Sequence, residues 1–277
     1  VANDGHLGML MGRETGVRMP LADLFGLQQK LGKIRLHDMT SEIQQIRMVK
    51  SPAEQAKLRH ICGIVSDVFA HVPRWLQPGM PFDSCFRRFK IEALERGVDD
   101  VSYLVGGVGY GGYDDIIAPP IPKALATGDV LMFDTGCVWD GYFSDFDRNF
   151  SIGPASTEAQ DAHKKLFDAT EAALSILRPG ITAADIFASM DDILRPDQSS
   201  SRDNVGRYGH GLGIQLTETP SHTVWDTTEI TAGMALTIEP SVSYGDGFIM
   251  VAEENLVVHE GHVELLTMRA PRDLPII

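Results

Sequence analysis

The sequence predicts an α+β fold built from two related halves, each a pair of helices followed by antiparallel strands. Two observations carry this. A long apolar helical stretch ends twice at the same kind of turn, at Trp75-Leu76-Gln77-Pro78-Gly79 and at Ile176-Leu177-Arg178-Pro179-Gly180. A second helix and then β-type sequence follow each copy. Two copies are too few for a solenoid, whose units must stack on several neighbours, so the halves pack on each other.

Taken in order, Arg18-Met19-Pro20-Leu21-Ala22 opens a short helical stretch to about Leu31, and Lys33–Asp38 reads as extended chain. Ser51-Pro52-Ala53-Glu54 is a helix start: Ser51 caps, Pro52 occupies the first helical position and Glu54 completes a capping box. That helix runs to about Trp75 with an apolar stripe through Leu58, Ile61, Val65, Val68 and Phe69. Arg87–Arg96 and Ile186–Leu194 are the second helices of the two halves. Asp129–Phe133 is an apolar strand, and Trp139–Phe150 its hairpin partner across Cys137–Gly141. Gly209–Leu216, Met234–Ser243 and Phe248–His259 read as later strands. A boundary near residues 46–51 separates 1–46 from a main domain over 47–277.

Composition narrows the function. Of 277 residues, 24 are Lys or Arg and 38 Asp or Glu, a net charge of −14 with a pI near 5.0. That field repels phosphate backbones, so nucleic acid is not an expected partner. No apolar run approaches the roughly 18 residues of a membrane span, and no leader sequence points to secretion. The chain opens at Val1, which admits processing or truncation. Three widely spaced cysteines, Cys62, Cys85 and Cys137, fit a reducing compartment, here read as cytoplasmic.

The chemistry lies in acids placed where acids are costly. Asp134 follows Val130-Leu131-Met132-Phe133 on a strand expected to be buried, where an unpaired carboxylate is unfavourable. Asp145 returns on the hairpin, so a tight turn would bring the two face to face, and a divalent cation relieves their repulsion. Asp145 paired with Arg148 is the non-metal reading. His210 sits between glycines in Gly209-His210-Gly211-Leu212-Gly213; Glu239 ends the apolar Ala235-Leu236-Thr237-Ile238, and Glu253 lies in Met250-Val251-Ala252-Glu253-Glu254-Asn255. Four carboxylates and an imidazole suit Mn, Fe, Co or Zn, with two ions if carboxylates bridge.

Five pieces in this order resemble the pita-bread metallohydrolases, the family of methionine aminopeptidase, prolidase, aminopeptidase P and creatinase. They are Gly128–Gly136, Asp140–Arg148, Gly209–Gly213, Ile238-Glu239-Pro240 and Glu253-Glu254-Asn255, and the likeness runs from about residue 48 to the end. It implies two pseudo-symmetric halves around a dinuclear metal site. By resemblance Asp134 chelates one ion, His210 and Glu239 hold the other, and Asp145 and Glu253 bridge; register favours Glu253 over Glu254. Residues 1–46 resemble the last βαβ portion of the N-terminal domain of the creatinase and prolidase branch. The resemblance implies hydrolysis of an amide or peptide C–N bond, Xaa-Pro dipeptides being the generic substrate. It also implies two divalent ions, with manganese first and Co, Fe or Zn as alternatives, Glu239 as proton shuttle, and a homodimer.

Two family histidines that handle substrate are missing: Thr217 stands at one position and Ile116 is nearest to the other. A small-molecule C–N hydrolase or lyase on the same metals is therefore the alternative reading, and a non-catalytic binding protein the last. Thr217 and His222 are the candidates to replace the lost donors, with His222 expected at the surface. Tyr103, Tyr113, Thr217, Glu218 and His222 are the candidates for substrate selection. Asp147, where relatives carry threonine, is expected to pair with Arg148, the alternative being an acid that orients a metal ligand or binds a cationic substrate; Cys137 is expected to pack as a small apolar side chain.

Overall fold

The computed structural model describes residues 5–12, 15–197 and 206–277. It opens with β1 (His6–Met9), α1 (Leu21–Lys30) and β2 (Arg35–Asp38), the two strands pairing in parallel around the helix, so residues up to 38 form a βαβ unit. Helix α2 (Thr40–Met48) leads into the main body.

The first half comprises α3 (Pro52–His71), α4 (Phe82–Glu95), β3 (Asp100–Val105), β4 (Val108–Tyr110), β5 (Asp129–Trp139), β6 (Tyr142–Phe143) and β7 (Phe146–Ser151). Ser51 caps α3 as expected: its hydroxyl accepts from the Glu54 N–H while the Glu54 carboxylate accepts from the Ser51 N–H. Helix α4 begins five residues before the expected Arg87, because Phe82, Cys85 and Phe86 extend the buried stripe toward its N-terminus. Strand β5 is the centre of a five-stranded antiparallel sheet, pairing with β3, β4, β6 and β7.

The second half comprises α5 (Thr157–Ile176), α6 (Ala183–Leu194), β8 (His210–Gly211), β9 (Glu218–Ser221), β10 (Ala235–Ile238), β11 (Ser241–Tyr244), β12 (Phe248–Val251), β13 (Glu254–Val258) and β14 (Val263–Leu265). A second five-stranded sheet runs β14-β13-β10-β8-β9, and β11-β12 form a separate hairpin. Two of the three long strands expected here are interrupted, at Glu239-Pro240 and at Ala252-Glu253, and Gly209–Leu216 is strand only at His210–Gly211.

The interior holds two apolar clusters, and β5 feeds both. Leu131 and Phe133 face the cluster under α3 and α4; Val130 and Met132 face that of α5 and α6. Strand alternation produces this division, and its consequence is that Asp134 continues the Val130–Met132 row, on the side of the second half. No helix among the described residues is long and apolar enough to cross a membrane.

A candidate metal centre

Strand β5 turns at Asp140-Gly141, both at positive φ (46° and 78°), with Trp139 and Tyr142 paired across the turn. An Asp-Gly pair supplies the backbone that such a two-residue hairpin requires. The return is not one strand. Ser144 and Asp145 lie between β6 and β7, and the register then sets Asp134 opposite Asp147, with Thr135 opposite Phe146. The face-to-face partner of Asp134 is therefore Asp147, and Asp145 sits diagonally. Trp139 opposite Tyr142 and Asp134 opposite Asp147 are one continuous register, so the two-residue turn at Asp140-Gly141 sets the pairing across the gap at Ser144-Asp145.

Asp145 is anchored from the second sheet. The Asn255 Oδ1 accepts from the Asp145 N–H at 2.9 Å and the Asn255 Nδ2 donates to the Asp145 carbonyl. Asn255 itself is placed by pairing with Thr237, its neighbour Glu254 by pairing with Ile238. Glu239 and Glu253 follow and precede those paired residues, so β10 and β13 deliver both acids at one end of the sheet.

His210 arrives on β8, held by its own main chain. Its N–H donates to the Thr237 hydroxyl, and its Nδ1 lies 2.9 Å from the Gly211 carbonyl, which fixes Nδ1 as the protonated nitrogen. Nε2 is left as a lone pair, 3.4 Å from Asp145 Oδ2 and 4.0 Å from Glu239 Oε2. Burial lowers its pKa to about 3, so the ring is neutral and its lone pair available. Gly209 is required beside it: at φ 127° a Cβ would meet the Thr237 carbonyl at 2.3 Å.

Ligand atoms of Asp145, His210 and Glu253 lie within 4.8 Å of one another, all three side chains buried. Asp134 Oδ1 and Glu253 Oε1 are buried with no hydrogen-bond partner. Burial raises every carboxyl of the group, and repulsion between carboxylates adds to it at Asp134, Asp145 and Glu253. Asp134 is pushed up to about 8, tempered by the nearby Tyr103 hydroxyl, and Glu239 to about 7; Asp145 and Glu253 also rise well above the usual range. Orphaned carboxylate oxygens, raised pKa values and a free imidazole nitrogen are what a metal-binding cavity shows without its cation. The donor set fits a divalent ion.

Other expected site residues are placed differently. His222 is not at the surface: its exposure is 0%, its Nε2 lies 3.1 Å from the Thr237 carbonyl, and burial lowers its pKa to about 4. Packed behind Gly209, it cannot swing outward without leaving the core. Glu218 is buried between Arg47 and Lys50, with Lys50 Nζ 3.0 Å from its Oε2. Tyr113 is buried and donates to Asn149 Oδ1 at 2.5 Å, and Ile116 packs against the second apolar cluster. Asp147 does not pair with Arg148. Adjacent strand residues face opposite ways, so Arg148 lies over the Phe146 ring and reaches Glu254 at 2.9 Å. Arg148 and Arg269 together occupy the Glu254 carboxylate, while Glu253 turns toward Asp145. Cys137 packs in the first core, fully buried.

Two residues escaped the sequence reading. Asn255 enters only as the last residue of the Glu253-Glu254-Asn255 piece, with no role attached to it. Arg207 donates to the half-buried Thr217 hydroxyl at 3.3 Å, and its positive charge lowers the pKa values of Asp145, Glu239 and His210. An arginine three residues before the histidine was the available clue.

The family profile of metallopeptidase family M24 matches residues 56–260. The chain belongs to that family. M24 metallopeptidases use divalent metals, in keeping with the Asp145, His210 and Glu253 cluster. The chain is 28% identical over 249 residues to the probable dipeptidase PepE of Mycobacterium tuberculosis, covering 87% of this chain but 62% of that protein. Among solved structures, dipeptidase PepE of Mycobacterium ulcerans is 30% identical with a TM-score of 0.82, over 94% of this chain and 69% of that one. Prolidase of Thermococcus sibiricus is 26% identical with a TM-score of 0.88, over 99% and 73%. The pita-bread fold of these M24 enzymes is the fold of this chain.

Proposed function

We propose that the protein is a metal-dependent peptidase acting on short peptides, with Xaa-Pro dipeptides as the first substrate class to test. One observation carries it: in an M24 chain, Asp145, His210 and Glu253 converge within 4.8 Å, with Nε2 of the histidine left free. The M24 relatives reported above, dipeptidases and a prolidase by name, support the substrate class.

In this reading Asp134 serves one metal position, His210 and Glu239 the other, and Asp145 and Glu253 lie between them. Four carboxylates against one imidazole favour manganese over softer ions. When bound, the two ions supply a Lewis acid and lower the pKa of a water nucleophile. Glu239 moves the proton: its side chain is 25% exposed where those of Asp145 and His210 are 6% and 3%, so it faces the open side of the cluster. A carboxylate there can take a proton from water and hand it to the leaving nitrogen. The Thr217 hydroxyl, which accepts from Arg207, keeps its own proton to donate to the substrate carbonyl. The Tyr103 hydroxyl faces Asp134 and lowers its pKa.

Residues 1–46 are read as the end of an N-terminal domain and 47–277 as the catalytic domain; the parallel β1–β2 pair supports the first assignment. Three buried free thiols support a reducing, cytoplasmic location, the acidic charge argues against nucleic acid, and the resemblance supports a homodimer. The deciding experiment is turnover of a panel of Xaa-Pro dipeptides by Mn²⁺-loaded protein, with Asp145→Ala as the blank. Metal-dependent cleavage absent from the blank is expected; a protein that holds two metals and cleaves none of the panel would move the reading to a non-peptide C–N substrate.

A further inference from the structure

We propose that Asp147 is an additional carboxylate donor to the metal position of Asp134, which makes the centre more oxygen-rich and tightens it for manganese. The inference rests on the dinuclear reading above. Three observations carry it. The β5–β7 register sets Asp147 directly opposite Asp134, and opposed residues of an antiparallel pair project to the same face with Cβ atoms about 4.5–5.5 Å apart. Asp147 is 2% exposed and its Oδ2 has no hydrogen-bond partner, nor has the buried Oδ1 of Asp134. The neighbouring cation is committed elsewhere: Arg148 donates to the carboxylate of Glu254 and to the main-chain carbonyls of Asp147, Glu253 and Met268.

Two buried carboxylates facing each other, each with an oxygen lacking a donor, are relieved either by a proton or by a cation between or beside them, and only the cation serves when both are ionised. Among the described residues no side-chain cation makes an ion pair with either carboxylate, whereas the metal position read for Asp134 is adjacent. A further oxygen ligand also suits an ion that takes octahedral oxygen coordination better than one that prefers four ligands.

The test titrates Mn²⁺ and Zn²⁺ by calorimetry into metal-stripped full-length protein, alongside Asp147→Asn and Asp147→Thr. Bound metal is counted by mass spectrometry and the Mn²⁺ environment followed by electron paramagnetic resonance. Two binding steps are expected in the wild type. Both variants lose about 10–100-fold in Mn²⁺ affinity at one step, a loss typical of removing a supporting group, with a smaller loss for Zn²⁺ and a changed Mn²⁺ spectrum. Circular dichroism checks the fold, and if the Asn variant does not fold, the smaller, β-branched Thr variant decides. Two unchanged steps with an unchanged spectrum overturn the role of Asp147 while leaving the dinuclear reading intact. A wild type that retains no metal overturns both.

Discussion

Asn255 and Asp145 are joined by two hydrogen bonds between one side chain and one peptide unit's flanking groups: the amide oxygen accepts from the Asp145 N–H at 2.9 Å and the amide nitrogen donates to the Asp145 carbonyl. Residue Asp145 lies in the gap between β6 and β7, where no strand partner would satisfy those groups. The clamp therefore replaces sheet pairing and orients the carboxylate that faces His210. Asn255→Ala removes both bonds. Each buried main-chain group left unpaired costs about 1–3 kcal/mol, so the urea midpoint should fall clearly. Metal affinity should fall by about 10–100-fold. A variant with wild-type stability and affinity would show that the clamp does not position Asp145.

Glu218 was a candidate for substrate selection, and its carboxylate is instead held by Arg47 and Lys50. The side chains of Lys50 and Glu218 are only 2% and 5% exposed. Glu218→Ala leaves a buried lysine without its counter-charge, and breaking such a pair costs about 3–5 kcal/mol. Denaturation should show a loss of that size, with the KM for a cleaved dipeptide unchanged. A KM effect without a stability effect would restore Glu218 to the substrate pocket.

How much of this was legible follows from which forces are local. The Ser51 capping box, a turn within Cys137–Gly141 and the unusual placing of Asp134, Asp145, His210, Glu239 and Glu253 are encoded over a few residues each, so pattern and chemistry reach them. The pairing of Asp134 with Asp147 follows by direct count once the turn is placed at Asp140-Gly141 rather than across the wider Cys137–Gly141. His222 reads as a solitary polar residue in a loop, and only the packing of β8 against β10 shows it to be enclosed. The cations that occupy Glu218 come from residues 47 and 50, some 170 positions earlier, beyond any local signal.

Stability of the metal-stripped protein should depend on pH in a direction set by the buried carboxyls. Asp134 titrates near 8 and Glu239 near 7 when folded, against about 4 in the unfolded chain. A raised folded pKa contributes stability below the unfolded value and loses it as pH rises through the folded one. His210 and His222, depressed to about 3 and 4, act oppositely: their contribution is complete above about 6.5 and is lost as pH falls. Above about pH 6.5 only the carboxyl slope remains, so the melting temperature of stripped protein should fall between about pH 6.5 and 8. Saturating Mn²⁺ should stabilise most at the upper end of that range, because binding requires deprotonated ligands. Scanning calorimetry with and without metal tests this, and a stripped protein whose melting temperature rises over that range would contradict it.

Thr217 decides how the peptidase reading survives the loss of the family histidine. Its hydroxyl is half-buried and receives a hydrogen bond from Arg207 at 3.3 Å, so it is oriented by a cation that also faces Asp145 and Glu239. A hydroxyl polarised in this way supplies one donor to the substrate carbonyl, where loss of a donor costs about 2.7–4 kcal/mol of transition-state stabilisation. Thr217→Val keeps the shape and removes the donor, and kcat for a cleaved Xaa-Pro dipeptide should fall about 10²–10³-fold. The KM should change little, since the interaction is strongest at the tetrahedral stage. Arg207→Gln should lower kcat by a smaller factor, because the hydroxyl remains but loses its orienting charge. Thr217→His places an imidazole where relatives have one and should retain or raise kcat. If Thr217→Val turned over at the wild-type rate, the carbonyl donor would have to come from another side chain, and the half-buried Tyr103 beside Asp134 would be the next to replace.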